Sequence, residues 1–254
     1  MIDINKSIEE FKKYTSEYDM TNKNIDRKYY HSYRVMNESK YIAESLNLSQ
    51  EQIDLATLIG LLHDIARFEQ MKRYGTFRDA ISVDHGDLGA EILKENNFIR
   101  NFVEDDKYDD IILTAIRNHN KYKIENNLDD EKLLQTKIIR DADKLDIFYE
   151  GAEIFWSDQE EKDSVYNLKI RDEYFNEFIQ KKAIGRQKDQ NGLEGLLVFI
   201  AFIFDMNFEV SLDKIAKEDY INKILDKFNF KEEDTIEKMK VVRKIANEYV
   251  QRKG

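Results

Sequence analysis

The chain of 254 residues contains no cysteine and no proline, and it has only nine glycines. The absence of cysteine excludes a disulfide framework, a thiolate zinc site and a cysteine nucleophile, and it agrees with a reducing compartment. The absence of proline and the scarcity of glycine leave few residues that break helices, so the composition favours helical structure. We therefore expect a cytoplasmic, helix-rich protein that folds without covalent cross-links.

Long apolar runs are also missing. The longest, from Leu196 to Phe204, covers about half of the roughly 20 residues that a membrane-spanning helix requires, so it predicts a buried core helix. The first residues, Met1 to Lys6, lack the basic start and the apolar stretch of a secretory signal. The sequence therefore predicts no membrane partner.

Positive charge is in deficit, because 40 lysines and arginines stand against 51 aspartates and glutamates, for a net charge of −11. This charge repels the phosphate backbone, so a long nucleic acid is not an expected partner. A pocket can differ in charge from the molecule as a whole. A small phosphorylated substrate therefore remains compatible with the composition.

Apolar residues recur at helical rather than alternating spacing in almost every segment, which predicts an all-α fold. Ser49 and Gln52 form a capping-box pattern before a helix that is apolar nearly all round, as is typical of a helix in the middle of a bundle. A polar loop is expected at 185–192. The predicted helices cover residues 3–18, 27–46, 50–70, 85–97, 106–121, 129–150, 170–184, 192–206, 211–228 and 233–252.

The four histidines, His31, His63, His85 and His119, each lie in or beside a predicted helix in an acidic or apolar context. Any one of them alone is most simply a hydrogen-bonded structural histidine. His63 and its neighbour Asp64, however, project about 100° apart from one buried turn. An unpaired charge is costly there, and a bound cation would offset that cost.

A second acidic group lies downstream, where Asp141, Asp143 and Asp146 alternate with apolar residues in a helix that is otherwise internal in character. Asp141 and Asp146 have an alternative interpretation as surface partners of Arg140 or Lys144. Asp143 lies four residues after Ile139, and its neighbours Ala142 and Leu145 are apolar. We therefore interpret Asp143 as a further metal ligand.

The order of these residues resembles the defining pattern of the HD-domain superfamily, whose members are helical metal-dependent phosphohydrolases and phosphodiesterases. Residues 61–67, Leu-Leu-His-Asp-Ile-Ala-Arg, resemble the second motif of the family, and residues 140–146, Arg-Asp-Ala-Asp-Lys-Leu-Asp, resemble its last. The motifs cover roughly residues 27–150. The remaining residues resemble only the helical tails of bacterial members.

This resemblance implies a metal-binding role for six residues. His31, His63, Asp64 and Asp143 would bind one ion, and His85 and His119 match the additional histidines of the subset that holds two ions bridged by Asp64. Imidazole and carboxylate ligands without thiolates suit one or two divalent ions of manganese, iron, magnesium, cobalt or zinc. Two such ions would hold a hydroxide as nucleophile at Asp64 and offset the charge that develops on phosphoryl oxygens.

Basic residues follow the His-Asp pair in the sequence. Arg67 lies three residues after Asp64 on nearly the same helix face, and guanidinium groups grip phosphate bidentately. The alternative is a basic loop balanced by Glu69 and Asp79. Lys144, beside Asp143, is a candidate for stabilising a leaving phosphate. The predicted catalytic residues are Asp64, Arg67 and Lys144, and the predicted substrate-binding residues are Arg67, Arg73, Arg78 and Lys144.

The resemblance implies an HD-domain helical bundle with a C-terminal helical extension packed on it. We expect one all-helical domain over residues 1–254, with the metal-binding core at 20–150 and the extension at 151–254. The expected function is hydrolysis of a small phosphorylated, nucleotide-like metabolite. Two alternatives remain open, a di-iron oxygenase of the same fold and a metal-binding sensor module without turnover. The exact substrate and the oligomeric state are not predicted.

Overall fold

The computed structural model describes residues 2–158, 162 and 165–251, and within these ranges the protein is all-α, with no β-strand. This confirms the predicted fold class. None of the helices in the described ranges combines the length and the hydropathy needed to cross a bilayer. The chain divides into two compact units, Met1–Asp146 and Ile147–Gly254, and the boundary falls inside one helix rather than in the polar loop at 185–192. The single domain over 1–254 stays a prediction.

The first unit is built from six helices and the beginning of a seventh, connected by loops and short 3₁₀ turns. The helices are α1 (Ile4–Thr15), α2 (Lys23–Ser45), α3 (Gln50–Leu62), α4 (Ala66–Tyr74), α5 (His85–Lys94), α6 (Asp109–Asn118) and α7 (Asp130–Glu153).

The second unit continues from α7. Its further helices are α8 (Asp172–Ile179), α9 (Gly192–Ile200), α10 (Glu209–Lys217), α11 (Tyr220–Leu225) and α12 (Glu233–Val250). The expected core helix is confirmed from Leu196 to Ile200, where every side chain is buried. The rest of the apolar run is a 3₁₀ turn in which Phe202 and Phe204 are half-buried.

The helix predicted at 50–70 is wrong in one respect, because α3 ends at Leu62 and α4 begins at Ala66. The predicted start is confirmed, since the Ser49 and Gln52 side chains form the capping box. The end has a local cause. The ring Nδ1 of His63 hydrogen-bonds the Gly60 carbonyl at 2.8 Å, the acceptor that the next helical N–H would otherwise use.

Another helix ends in the same way. The prediction placed the end near residue 121, whereas α6 ends at Asn118, and the Nδ1 of His119 hydrogen-bonds the carbonyl of Ile116 at 2.6 Å. A further correction concerns 211–228, which is two helices separated by Asp219 in a left-handed conformation with φ 54°. A helix cannot continue through such a residue.

Two glycines set how closely the ligand-bearing helices approach. A Cβ on Gly60 in α3 would lie 2.6 Å from Ser39 Oγ and 2.9 Å from Met36 Cα in α2. A Cβ on Gly86 in α5 would lie 2.6 Å from Asn120 Oδ1. The contact at Gly60 involves the backbone of α2, so that position requires glycine, whereas a Cβ on Gly86 would force Asn120 to shift and would also lie 3.0 Å from the Arg117 carbonyl. Close packing of α2 on α3, and of α5 on the end of α6, brings the histidines of the first unit together.

Candidate metal centre

All four histidines are buried, with at most 5% of each exposed. His31 projects from the middle of α2, His63 and His119 follow the last residues of α3 and α6, and His85 is the first residue of α5. Asp64 continues the turn that His63 begins and is 2% exposed. Asp143, on α7, has 19% of its side chain exposed.

Each histidine uses its Nδ1 to bind the protein. His63 and His119 bond carbonyl oxygens of their own helices. The Nδ1 of His31 lies 2.6 Å from Asp146 Oδ2, and the Nδ1 of His85 lies 2.5 Å from Asp79 Oδ2. Since carbonyl and carboxylate oxygens only accept, each Nδ1 carries the proton, and in a neutral ring the Nε2 presents a lone pair. This is the arrangement of a metal-ligating histidine.

The Nε2 atoms converge in pairs. Those of His31 and His63 lie 3.2 Å apart, and those of His85 and His119 lie 3.0 Å apart. Two lone pairs at that distance repel each other unless a proton or a cation lies near both. Two nitrogens bound to one divalent ion at about 2.0–2.1 Å are separated by about 3.0–3.4 Å. The observed separations fit shared ions.

Asp64 joins the two pairs through different oxygens. Its Oδ2 lies 3.4 Å from the Nε2 of His31 and 3.5 Å from that of His63. Its Oδ1 lies 3.4 Å from the Nε2 of His85 and 3.6 Å from that of His119. Oδ1 is buried and has no hydrogen-bond partner among the described residues. A carboxylate oxygen in that position fits a metal ligand, because burial without a partner is otherwise costly.

Asp143 joins one of the two groups. Its Oδ1 lies 3.2 Å from the Nε2 of His31 and 3.7 Å from that of His63. The six predicted ligands therefore form two donor sets that share one carboxylate. The first donor set is His31, His63, Asp64 and Asp143, and the second donor set is Asp64, His85 and His119.

The electrostatics of the metal-free protein favour positive charge at the first donor set. Burial and the Lys28 ammonium disfavour the imidazolium of His31, but the carboxylates of Asp143, Asp146 and Asp64 outweigh them and raise its pKa to about 10. Burial would by itself raise the pKa of Asp64, yet the cations around it hold that pKa well below its usual range. The site therefore keeps its carboxylate ionised and attracts a cation.

His63 and His85 are neutral at physiological pH. Burial lowers the pKa of His63, and burial lowers the pKa of His85 to about 4 even though Asp79 opposes that shift. Neutral rings with free Nε2 lone pairs are ready to bind a metal without first losing a proton.

Of the predicted basic residues, Arg67 lies beside the donor sets. Its Nε is 3.4 Å from Asp64 Oδ1, and its Nη1 donates to Gln70, to the Phe77 carbonyl and to Asp79, at 2.7–3.0 Å. These bonds fix the plane of the guanidinium. The ion pair of Arg67 with Asp79 also agrees with the alternative interpretation, in which the basic loop is balanced by Glu69 and Asp79.

The other basic residues have different surroundings. Arg73 is exposed and pairs with Glu69 at 2.5 Å, as the balanced-loop alternative also describes. Arg78 is exposed as well. Lys144 is buried, and its Nζ donates to the Arg140 carbonyl at 3.3 Å. The substrate-binding roles of Arg73, Arg78 and Lys144 stay predictions.

Sequence reasoning missed the residues that support the ligands. Asp146 is not on a solvated face, because it is 2% exposed and also binds Arg34 at 2.6 Å; Asp141 is buried too. The spacing of three residues between Asp143 and Asp146 was a usable signal, since residues at that spacing share a helix face. Asp79 lies in the irregular stretch between α4 and α5, where no periodicity connects it to His85.

The model of the HD domain family matches residues 29–147. This part of the chain is similar to the HD domain family. All six residues of the two donor sets lie within it, and HD domains are in general metal-dependent phosphohydrolases. No curated protein and no solved structure matches the chain. This part of the chain accordingly carries candidate sites for divalent ions, built from its own histidines and aspartates.

Proposed function

We propose that the protein is a phosphohydrolase or phosphodiesterase that uses divalent ions to act on a small phosphorylated, nucleotide-like metabolite. One observation carries the proposal: the two oxygens of Asp64 face two separate pairs of histidine Nε2 atoms. A carboxylate in that position can bridge two ions, which is the arrangement used to clamp the attacking and leaving oxygens of a phosphoryl transfer.

The protein's own residues orient and hold the reactants. The Nδ1 hydrogen bonds fix the ring orientations of the four histidines, so that both donor sets are preorganised. Divalent ions bound there would supply a nucleophilic hydroxide near pH 7 and neutralise phosphoryl charge. No side chain has to act as nucleophile. Arg67, held by three acceptors beside Asp64, supplies a fixed positive charge for a phosphoryl oxygen.

The expected substrate is small for electrostatic reasons. The net charge of −11 opposes an extended polyanion, whereas a single phosphate group meets the local cations beside Asp64. A nucleotide-like metabolite satisfies both conditions.

The test is a screen of protein loaded separately with manganese, iron, cobalt, zinc or magnesium. Nucleotides, sugar phosphates and cyclic dinucleotides are supplied, and released phosphate and pyrophosphate are measured. We expect turnover of at least one compound, and its loss in Asp64→Asn, which keeps the side-chain volume and removes the shared charge. Asp54→Asn, at a half-buried position of α3 outside the two donor sets, is the matched control.

Two other outcomes would overturn the proposal. Oxygen uptake by the iron form, with no phosphorylated compound hydrolysed under any metal, would assign the oxygenase function. Metal binding with neither hydrolysis nor oxygen uptake would assign the sensor function.

A further inference from the structure

Lys28 lies at the entrance to the first donor set. It precedes His31 by three residues on α2, so the two side chains project from the same face of the helix. Its Nζ is 2.6 Å from Asp64 Oδ2, the oxygen that faces His31 and His63. Its side chain is 13% exposed, whereas that of Asp64 is 2% exposed. Lys28 therefore connects the buried carboxylate with solvent.

Asp64 has one lysine or arginine side chain beside each of its two oxygens. Oδ2 contacts the Lys28 ammonium, and Oδ1 lies 3.4 Å from Arg67 Nε. Each donor set thus has one cationic side chain at its edge. The guanidinium is fixed by three further acceptors, while the ammonium stands on a flexible four-carbon stem and can change partners.

Binding of a divalent ion changes what Lys28 can favourably contact. An ion on Oδ2 takes over the negative charge that the ammonium now neutralises, and two cations a few ångströms apart repel each other. The partly exposed stem allows the ammonium to turn away from Oδ2. A phosphoryl oxygen at the same ion offers it a new negative partner, with a charge-assisted hydrogen bond.

We propose that Lys28 is a substrate-binding residue of the first ion site. Its ammonium neutralises Asp64 in the metal-free protein and binds a non-bridging oxygen of the substrate phosphoryl group in the loaded protein. The inference rests on the proposed function, because it requires a phosphorylated ligand. Lys28 precedes the residues that the HD family model matches, so its role comes from the geometry of this chain.

Two binding measurements test the role of Lys28 without turnover. Isothermal titration is carried out with Mn²⁺ alone, and then with inorganic phosphate on the manganese-loaded protein. In Lys28→Met we expect tighter binding of the first Mn²⁺, by about tenfold, because a like charge is removed. We expect phosphate to bind about tenfold more weakly or worse, because a charge-assisted contact is lost.

Three further variants complete the design. Lys28→Arg keeps the charge and should retain phosphate binding. Lys40→Met, at an exposed position of the same helix, should leave both affinities unchanged. Lys28→Gln can still donate to Asp64, and it replaces Lys28→Met in the same comparison if the latter does not fold.

Wild-type phosphate affinity in the neutral variants, or weaker Mn²⁺ binding in them, would overturn the inference, because Lys28 would then only support the fold of the site. The outcome is separable from the proposed function. If no phosphorylated compound is hydrolysed but phosphate binding depends on Lys28, the proposed function fails, whereas Lys28 remains a phosphate-binding residue of the first ion site. If a phosphorylated compound is hydrolysed with unchanged KM in Lys28→Met, the reverse holds.

Discussion

At the scale of single residues, the site depends on the different contacts of the two ring nitrogens in each histidine. Nδ1 is bound to a fixed acceptor in all four histidines, and Nε2 points to a neighbouring Nε2 and to Asp64. His31 and His85 use carboxylates as acceptors, which makes the ring a stronger donor to a metal than a carbonyl does. Each donor set therefore contains one ring of each kind.

The two donor sets make different predictions for single substitutions. Asp64→Ala removes the shared carboxylate and His63→Ala removes a ligand of the first donor set, so we expect both to abolish turnover. His85→Ala or His119→Ala should remove mainly the second ion and leave the first bound. Elemental analysis after loading and desalting measures the number of ions per chain.

Wild-type metal content and rate in His85→Ala would show that His85 is a structural residue and that only one ion is bound. Asp54→Ala, at a half-buried position on the same helix that leads to His63, controls for effects of substitution on the fold.

The guanidinium of Arg67 makes a separate prediction. If it binds the phosphoryl group, Arg67→Ala should raise KM or lower kcat at unchanged metal content, at a cost of about 1.5–3 kcal/mol in kcat/KM. Steady-state kinetics with the substrate found in the screen provide the measurement. Arg243→Ala, which removes an ion pair with Asp226 in the second unit, is the control. Unchanged kinetics would reduce Arg67 to a structural partner of Asp79.

At the scale of helices, the contact of α2 with α3 positions His31 opposite His63. Gly60 permits this contact, because its missing Cβ leaves room for Ser39 and the backbone at Met36. The carbonyl of the same glycine accepts the Nδ1 bond of His63. One small residue thus sets both the helix separation and the ring orientation.

The prediction at this scale is that Gly60→Ala destabilises the protein by about 1–3 kcal/mol, as overpacking does, and weakens binding of the first ion. Gly195→Ala is the matched control. A Cβ there would lie 3.4 Å from Gln190 Nε2, an ordinary contact, and replacing a helical glycine should stabilise by roughly 0.5–1 kcal/mol. Denaturant titration of both variants measures the free energies of unfolding. The argument is wrong if the two variants change the free energy of unfolding by the same amount and in the same direction.

The ligand residues could be predicted from the sequence because they occur in an ordered motif and at helical spacing on apolar faces. The helix ends could not, since propensity and periodicity do not show that His63 and His119 bond carbonyls three residues back. Asp219 has no local signal for its left-handed conformation. Asp79 reaches His85 through an irregular segment, and only the folded chain brings the two together.

At the scale of the whole molecule, the buried histidines couple stability to pH in the metal-free protein. The folded-state pKa of His85 is about 4, below its usual value of 6.5, so the stability it contributes is lost as pH falls from 6.5 towards 4. The folded-state pKa of His31 is about 10, so its contribution is complete below pH 6.5 and is lost as pH rises towards 10.

We therefore predict that, in the presence of a chelator, the protein is most stable near pH 6.5 and less stable on either side. Thermal or denaturant unfolding between pH 4 and pH 10 measures this profile. His85→Gln should flatten the limb between pH 6.5 and pH 4. A wild-type acid limb in that variant would assign the loss of stability to other groups, such as His63.

The position of Asp64 between the two donor sets has a thermodynamic consequence. Because Oδ1 belongs to one donor set and Oδ2 to the other, the two binding equilibria draw on a single negative charge. An ion bound at one donor set lowers the affinity of the other donor set for an ion, and thermodynamic linkage requires this effect to be the same in both directions. If each donor set binds an ion, we expect occupancy to rise in two stages with metal concentration, and the doubly loaded form to respond to metal supply over the range set by the weaker stage.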